Sequence, residues 1–261
     1  MDFRYVADNL RQSFRVLADG RSRADVFELP GVSVASLGVS FQMFNAAFLS
    51  GAVETQAQLE ARLLAARRHF DSRKLQWALW ICDGWLTPAI QRKLSRICET
   101  FGLRLSAEMP GMAAETIQAP VRKLPELEIR RVETVGTLSD FRAIGSTCFH
   151  VPIAWFGEVF DEDVMTRGTF ACWVGYRNGV PIATAATVAS PDATGVYNVA
   201  TAPEHRRRGY GEAITRHAID AALSEGDPGR LVLQSTSLGQ RVYVRMGFEP
   251  IARVLVYSSI R

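Results

Sequence analysis

The sequence predicts a mixed α/β (α+β) fold, built around mixed sheets and divided into two domains. Its 261 residues suffice for two domains of ordinary size, and 48% of them are hydrophobic, which is enough apolar material for two cores. Segments with apolar residues at helical spacing alternate with short runs of β-branched and aromatic residues. We expect a smaller accessory domain over residues 1–125 and a second domain over residues 126–261.

The first half opens with a predicted helix and a pair of strands. Apolar residues recur at helical spacing from residue 4 onward, and Gly20 follows as a natural stop. Pro30-Gly31 is a turn dipeptide between two β-prone runs. The predicted elements are a helix over 4–18 and strands over 25–29 and 32–37.

An amphipathic helix follows over residues 54–70. Its spacing places Leu59, Leu63, Leu64 and Phe70 on one apolar face. The remaining elements predicted for this half are a strand over 75–82, a helix over 88–101 and a strand over 103–107.

The stretch from residue 111 to 125 contains Gly111, Pro120 and Pro125 without periodicity, so we place the linker between the domains there. Beyond it, Asn178-Gly179 between two β-prone runs indicates a hairpin. The predicted order in the second half is a strand over 127–132, helices over 138–149 and 153–164, strands over 170–176, 180–189 and 195–201, a helix over 212–224, a strand over 231–235, a helix over 240–246 and a strand over 253–258.

The bulk composition excludes several classes of protein. A net charge of +3 gives no reason to expect a nucleic-acid or membrane partner. The four cysteines show no C-x-x-C pair, so neither a metal site nor a disulfide framework is expected. The N-terminal residues lack the basic-then-apolar order of a signal peptide, and no run of 18 apolar residues occurs. We expect a cytoplasmic protein.

The most informative segment runs from Val196 to Ala213, where a predicted strand leads through an arginine-rich loop into a helix. Gly209 and Gly211 remove side chains where the helix begins, so backbone N–H groups can approach a diphosphate closely. Three consecutive arginines, beginning at Arg206, add full positive charges. Taken alone, the same segment also describes a basic, solvated helix cap.

Two linked signatures give this half a family resemblance. Arg206-x-x-Gly209-x-Gly211 resembles the acetyl-CoA pyrophosphate loop of the GNAT (N-acetyltransferase) superfamily, and residues 239–248 resemble its second signature, a helix that carries a tyrosine, Tyr243, and closes with Gly-Phe. The resemblance covers residues 128–261 and implies the GNAT acyl-CoA N-acyltransferase fold there. The first half repeats a similar element order without the loop, which suggests a degenerate GNAT-like half in a tandem pair.

The resemblance also implies which residues bind acetyl-CoA. Backbone groups of Val199 and Thr201 would hold the pantetheine arm and the acetyl carbonyl, and Thr236 stands where the family often has asparagine. The candidate cofactor-binding residues are Val199, Ala200, Thr201, Arg206, Arg207, Arg208, Gly209, Tyr210, Gly211, Glu212 and Thr236.

By the same resemblance, Tyr243 would protonate the departing CoA thiolate, and its alternative role is core packing. An amine acceptor must also lose a proton before it attacks the thioester. Glu158, beside Trp155, Phe156 and Phe160, is the first candidate base. The other candidates are His150, Asp161, Glu162 and Asp163, and for each acid a solvated surface position is the simpler account.

The predicted function is therefore transfer of an acetyl or related short acyl group from acetyl-CoA to an amine on a small molecule, peptide or protein, by a monomer or homodimer without a metal. The alternative is a catalytically inactive CoA-binding module with a regulatory or scaffold role. A protein that binds a nucleotide or a nucleic acid, with a different phosphate held by the arginine run, is a third alternative. The sequence lacks the long basic stripe and the interleaved aromatic residues that would support it.

Overall fold

The computed structural model describes residues 1–163 and 170–260 of the chain. Short 3-10 turns cover Gln42–Phe44, Asp83–Trp85 and Pro203–His205. The helices are α1 Arg4–Ala18, α2 Gln56–Arg73, α3 Pro88–Gln91, α4 Leu94–Thr100, α5 Val135–Phe149, α6 Ile153–Val159, α7 Tyr210–Ser224 and α8 Gln240–Arg245. The strands are β1 Asp25–Leu29, β2 Val32–Ser36, β3 Asn45–Leu49, β4 Ala78–Cys82, β5 Leu103–Ala114, β6 Glu128–Arg131, β7 Phe170–Arg177, β8 Val180–Ser190, β9 Ala193–Thr201, β10 Leu231–Gln234 and β11 Glu249–Ser259.

The chain divides into two compact units. Unit 1 comprises residues 1–111 together with the C-terminal segment that begins at Pro250, and unit 2 comprises Met112–Glu249. This division differs from the expected boundary at residue 125 in two ways. Strand β5 runs on to Ala114 instead of stopping at residue 107, and the last strand pairs with β4. The sequence around a strand does not indicate which distant strand it pairs with, so the pairing of β11 with β4 could not be predicted.

In unit 1, the strands lie in the order β1-β2-β3-β4-β11-β5. Neighbours from β1 to β3 are antiparallel, β3 and β4 are parallel, and β4 and β11 are antiparallel. Alternate residues of β4 face different helices: Leu79 belongs to the core cluster that contains α2, whereas Trp80 packs edge-on against Phe14 of α1. The sheet of unit 1 is therefore covered on both faces.

Helix α2 shows which face of an amphipathic helix is buried. A capping box between Thr55 and Gln58 begins it, and Lys74 in the left-handed conformation ends it. Its buried residues are Leu59, Leu63, Ala66 and Phe70. Leu64, which we expected on this face, is 40% exposed, because the 3.6-residue period turns it past the edge of the buried stripe.

In unit 2, the strands lie in the order β10-β9-β8-β7-β6. Strands β9 and β10 are parallel, and the others from β6 to β9 are antiparallel. Asn178 and Gly179 both have positive φ, as the expected hairpin turn requires. Helix α7 packs Tyr210 and Ile214 on β7 and β8.

Some predicted boundaries in both units shift with local chemistry. Helix α5 starts at Val135 instead of residue 138, because Thr134 and Thr137 form a capping box. The helix expected over 88–101 is two helices, α3 and α4. Helix α6 ends at Val159, and Val164, where we expected its end, lies outside the described residues. Within the described part of the chain, no helix is long and apolar enough to cross a membrane.

The contrast between two neighbouring leucines tests this packing. Leu63 is 0% exposed and Leu64 is 40% exposed. Leu63→Ala should lower the free energy of unfolding by about 3 kcal/mol, because it removes buried methyl groups and leaves a cavity. Leu64→Ala, the matched control, should change it by less than about 0.5 kcal/mol. Urea denaturation of the two variants measures both values, and equal losses would contradict the buried face assigned to α2.

Candidate functional site

The site begins where two parallel strands separate. Strand β9 pairs with β10 only as far as Val196 opposite Leu233. Beyond that point β9 contains a bulge, since the pairing with β8 shifts register and Asn198 adopts φ 49°. The hydroxyl of Thr184 donates to the Asn198 carbonyl at 2.8 Å and holds the bulge. A gap therefore opens between the carboxyl ends of β9 and β10.

The arginine-rich loop follows the end of β9. A 3-10 turn covers Pro203–His205, and Arg206 Nε donates back to the Thr201 carbonyl at 3.0 Å. Arg207 and Gly209 both have positive φ, 62° and 94°, so the chain turns sharply into α7. The loop is thus folded back on the strand that precedes it.

The N-terminus of α7 presents unpaired donors. The first N–H groups of any helix lack partners within the helix. Among the described residues, no side chain caps this end, where Gly209 is the N-cap. With the positive end of the helix dipole, these N–H groups form a site suited to an anion.

The loop, the end of β9 and helix α8 line one cleft of about 850 Å³. It brings together most of the residues that the sequence singled out. Those that line it are Val199, Ala200, Thr201, Arg206, Arg207, Gly209, Tyr210, Gly211, Glu212, Thr236 and Tyr243.

Two of the predicted site residues are not in this lining set. Arg208 is exposed and Glu158 is half-buried on α6, and the residues described as lining the cleft include neither. Of the other candidate bases, His150 lines the cleft, whereas Asp161, Glu162 and Asp163 do not belong to the described lining. His150 is the C-cap of α5, with φ 56°.

The side chain of Glu212 has a structural partner. It is 3% exposed, and its Oε1 accepts from Arg216 Nη2 at 2.9 Å and from Nε at 3.1 Å. Arg216 in turn donates to the Gln118 carbonyl at 2.7 Å. The carboxylate of Glu212 is therefore already paired with a cation.

Thr236 also has a local role. Its hydroxyl accepts from Gly239 N at 3.2 Å, next to the start of α8, while its side chain lies at the exposed rim of the cleft. This contact closes a turn that ends at Gly239, the N-cap of α8, and it is typical of a threonine in a turn. A ligand bound by the Thr236 hydroxyl would share it with the N–H group of Gly239.

Tyr243 joins the core to the cleft. It is 8% exposed, packs edge-on against Phe248 with ring centroids 5.9 Å apart, and lines the cleft. Burial raises the pKa of its phenol, because the phenolate would lose hydration. The hydroxyl therefore stays protonated at neutral pH and can donate a hydrogen bond or a proton.

Sequence reasoning missed several residues of the cleft, and three of them have informative contacts or positions. Cys148 Sγ donates to the Thr201 carbonyl at 3.4 Å. Gln234, at the end of β10, has a buried Nε2 without a hydrogen-bond partner in the described structure. Arg122 comes from the expected linker. Of these three residues, only Gln234 could have been found from the sequence, because it is the polar residue at the end of a buried parallel strand.

The charges in the cleft are strongly unbalanced. Glu212 is the one carboxylate among the described lining residues, and it is already paired with Arg216. The guanidinium groups in the lining belong to Arg122, Arg206, Arg207, Arg241 and Arg245. This arrangement favours a polyanionic ligand. In the described parts of the chain, no group of histidine, cysteine and acidic residues could hold a metal ion.

Comparison with family models gives one match, in the second half of the chain. Residues 168–250 match the family model described as acetyltransferase (GNAT) domain. No curated protein matches the chain. The family match confirms the GNAT resemblance of the second half and supports acyl transfer as the general class of chemistry.

Solved structures extend the likeness in fold to both units. A GCN5-related N-acetyltransferase from Kribbella flavida has a TM-score of 0.74 at 19% identity, over 98% of this chain and 96% of that one. A functionally unknown conserved protein from Staphylococcus epidermidis has a TM-score of 0.66 at 9% identity, over 90% and 94%. A GCN5-related N-acetyltransferase from Sphaerobacter thermophilus has 0.59 at 15%, over 88% and 76%. The fold class is confirmed, in agreement with a tandem of two GNAT-like halves.

The buried pair on α7 yields a stability prediction. Glu212→Gln should lower the free energy of unfolding by about 3 kcal/mol, because it leaves the guanidinium of Arg216 buried without a counter-charge. Asp220→Asn removes a carboxylate from an exposed position of the same helix, and it should change stability by less than about 0.5 kcal/mol. Chemical denaturation checks both. A Glu212→Gln protein as stable as Asp220→Asn would show that the pair does not hold this helix.

Proposed function

We propose that the acetyltransferase (GNAT) domain in unit 2 moves an acetyl group, or a related short acyl group, from acetyl-CoA to an amine by direct transfer. One observation carries the proposal. The uncapped N-terminus of α7, the separated ends of β9 and β10 and the phenol of Tyr243 all meet in one cleft.

The residues in the cleft fit acetyl-CoA. Its phosphates match the N–H groups and the guanidinium groups at one part of the cleft. Its extended arm carries amide and carbonyl groups, which suit the gap between β9 and β10. The buried Nε2 of Gln234 needs an acceptor that the described protein groups do not supply, and a carbonyl of the arm is such an acceptor.

The chemistry that the residues perform follows from their positions. Acetyl-CoA supplies an activated acyl group as a thioester. Backbone groups at Val199 and Thr201 orient that group, as the family resemblance implies. An ammonium acceptor must give up a proton, and among the candidate bases His150 lines the cleft. The neutral amine would attack the thioester carbon, so that a C–N bond forms and the C–S bond breaks. Tyr243, protonated at neutral pH, would donate its proton to the departing thiolate and be reprotonated by the proton that the new amide nitrogen releases.

A CoA-binding module without turnover is the second candidate, and one observation favours it. Among the described lining residues no carboxylate is available as a base, since Glu212 is bound to Arg216. Such a module would bind CoA as tightly as an enzyme does. Turnover with an amine distinguishes the two functions.

The loop glycine gives a test of CoA binding. Gly209 and Gly226 have nearly the same φ, 94° and 93°. Alanine at either position should destabilise the fold by about 1–2 kcal/mol through backbone strain. A methyl group at Gly209 would also lie 3.0 Å from Pro125 Cδ, whereas one at Gly226 meets no atom within 4 Å. Gly209→Ala should therefore weaken acetyl-CoA binding at least about tenfold in isothermal titration.

Gly226→Ala is the matched control, and its affinity for acetyl-CoA should equal that of the unchanged protein. ATP serves as the phosphate control ligand. If the two variants bound acetyl-CoA with equal affinity, the loop would not be part of the binding site and would serve only to begin helix α7. No binding of acetyl-CoA by the unchanged protein at millimolar ligand would end the proposal.

Tyr243 gives a test of catalysis. Tyr243→Phe removes the proton donor while keeping the ring, so kcat should fall about a hundredfold and the acetyl-CoA affinity should stay within about twofold. Release of the CoA thiol, in the presence of the best amine from an acceptor screen, measures the rate.

Tyr176→Phe controls for the loss of a phenol elsewhere in unit 2. Its hydroxyl donates to Asp140 at 2.7 Å and does not belong to the described lining of the cleft. This variant should lose about 1 kcal/mol of stability and keep its kcat. An unchanged rate in Tyr243→Phe would assign that tyrosine to packing alone.

A further inference from the structure

The segment expected to be a linker is ordered by hydrogen bonds and contributes Arg122 to the lining of the cleft. We call residues 116–125 the rim segment. Gln118 N donates to the Met246 carbonyl at 2.9 Å, and the Gln118 carbonyl accepts from Arg216 Nη1 at 2.7 Å. The start of the rim segment is therefore tied both to the end of α8 and to the middle of α7.

The other end of the rim segment lies against the arginine-rich loop, at Gly209. A Cβ atom at Gly209 would lie 3.0 Å from Pro125 Cδ and 3.6 Å from Arg122 Nη2. The guanidinium of Arg122 is thus placed directly beside the residue that caps α7. Glycine at this position serves the close approach of the rim segment as well as the turn.

Arg122 adds a full charge where α7 supplies partial charges. Its side chain is exposed and it lines the cleft. The carboxylate of Glu212, in the first turn of α7, is committed to Arg216. A guanidinium beside a row of helical N–H groups provides several donors for one diphosphate.

The geometry points to Arg122 as a ligand-binding residue that holds the diphosphate of CoA from the rim segment. This inference rests on the proposed function and extends it. The anion site would then consist of two parts far apart in sequence: the loop at Arg206–Gly211, and a single arginine that precedes β6.

The test compares two adjacent cations of the rim segment. Arg122→Met removes the guanidinium and keeps an extended side chain, whereas Lys123→Met removes the same unit of charge from an exposed position outside the described lining. Each variant and the unchanged protein are titrated calorimetrically with CoA and with 3′-dephospho-CoA. Thermal unfolding of the free proteins is followed in parallel.

We expect Arg122→Met to bind both ligands about tenfold more weakly, because a charge-assisted hydrogen bond to the shared diphosphate is lost. Lys123→Met should bind both within about twofold of the unchanged protein. The loss in Arg122→Met should shrink as ionic strength rises, since the contact is exposed to screening. The unfolding temperatures of the three proteins should agree.

Four outcomes would overturn the inference. Equal affinities of the two variants would remove Arg122 from the site, and a loss for CoA alone would move it to the 3′-phosphate. A marked fall in the unfolding temperature of Arg122→Met would make the residue structural. Failure of the unchanged protein to bind either ligand would remove the inference together with the proposed function. If the protein bound CoA but turned over no amine in an acceptor screen, the proposed enzymatic activity would be wrong, whereas the role of Arg122 in CoA binding would be unaffected.

Discussion

The mismatch between two parallel strands is the constraint on which the site depends. Strands β9 and β10 share a ladder only up to Leu233, because β9 then accommodates an extra residue at Asn198. A β-bulge normally costs ladder hydrogen bonds, and here the hydroxyl of Thr184 takes up the displaced carbonyl. The gap that follows exposes backbone groups and the amide of Gln234 to one cleft. Without the bulge, continued pairing would close that gap.

The loop after β9 depends on the same strand end. The Thr201 carbonyl accepts from both Arg206 Nε and Cys148 Sγ, so α5, β9 and the loop share one acceptor. Arg206 is thereby a residue that shapes the loop, and its charge still faces the cleft. The arginine of the R-x-x-G-x-G pattern therefore has a structural role in the loop that does not depend on any ligand.

Local chemistry made part of this structure predictable from sequence. The turn at Asn178-Gly179 needs two residues that tolerate positive φ, and the arginine-rich loop needs one at Gly209. Both demands are met by residues adjacent in sequence. The same holds for Tyr243, which the short helix α8 places in the cleft.

The remaining features depend on contacts between distant residues. Two contacts join residues far apart in sequence: β11 pairs with β4, and Arg122 lies beside Gly209. The pair of Glu212 and Arg216 differs, because these residues are one helical turn apart. That spacing is common on solvated helices, so it did not indicate burial. The prediction that Leu64 is buried was wrong for a related reason. Helix α2 has more apolar residues than its narrow buried stripe contains.

The pairing of Glu212 also explains how a carboxylate can stand in the first turn of α7. An acidic side chain is favourable there for the helix dipole, but a free carboxylate would repel the phosphates of a ligand at the same N–H groups. Pairing with Arg216 offsets that charge, and the Glu212 side chain is buried. Arg216 also donates through Nη1 to the Gln118 carbonyl, which fixes the start of the rim segment. The buried pair therefore both offsets the negative charge at this helix end and anchors the segment that carries Arg122.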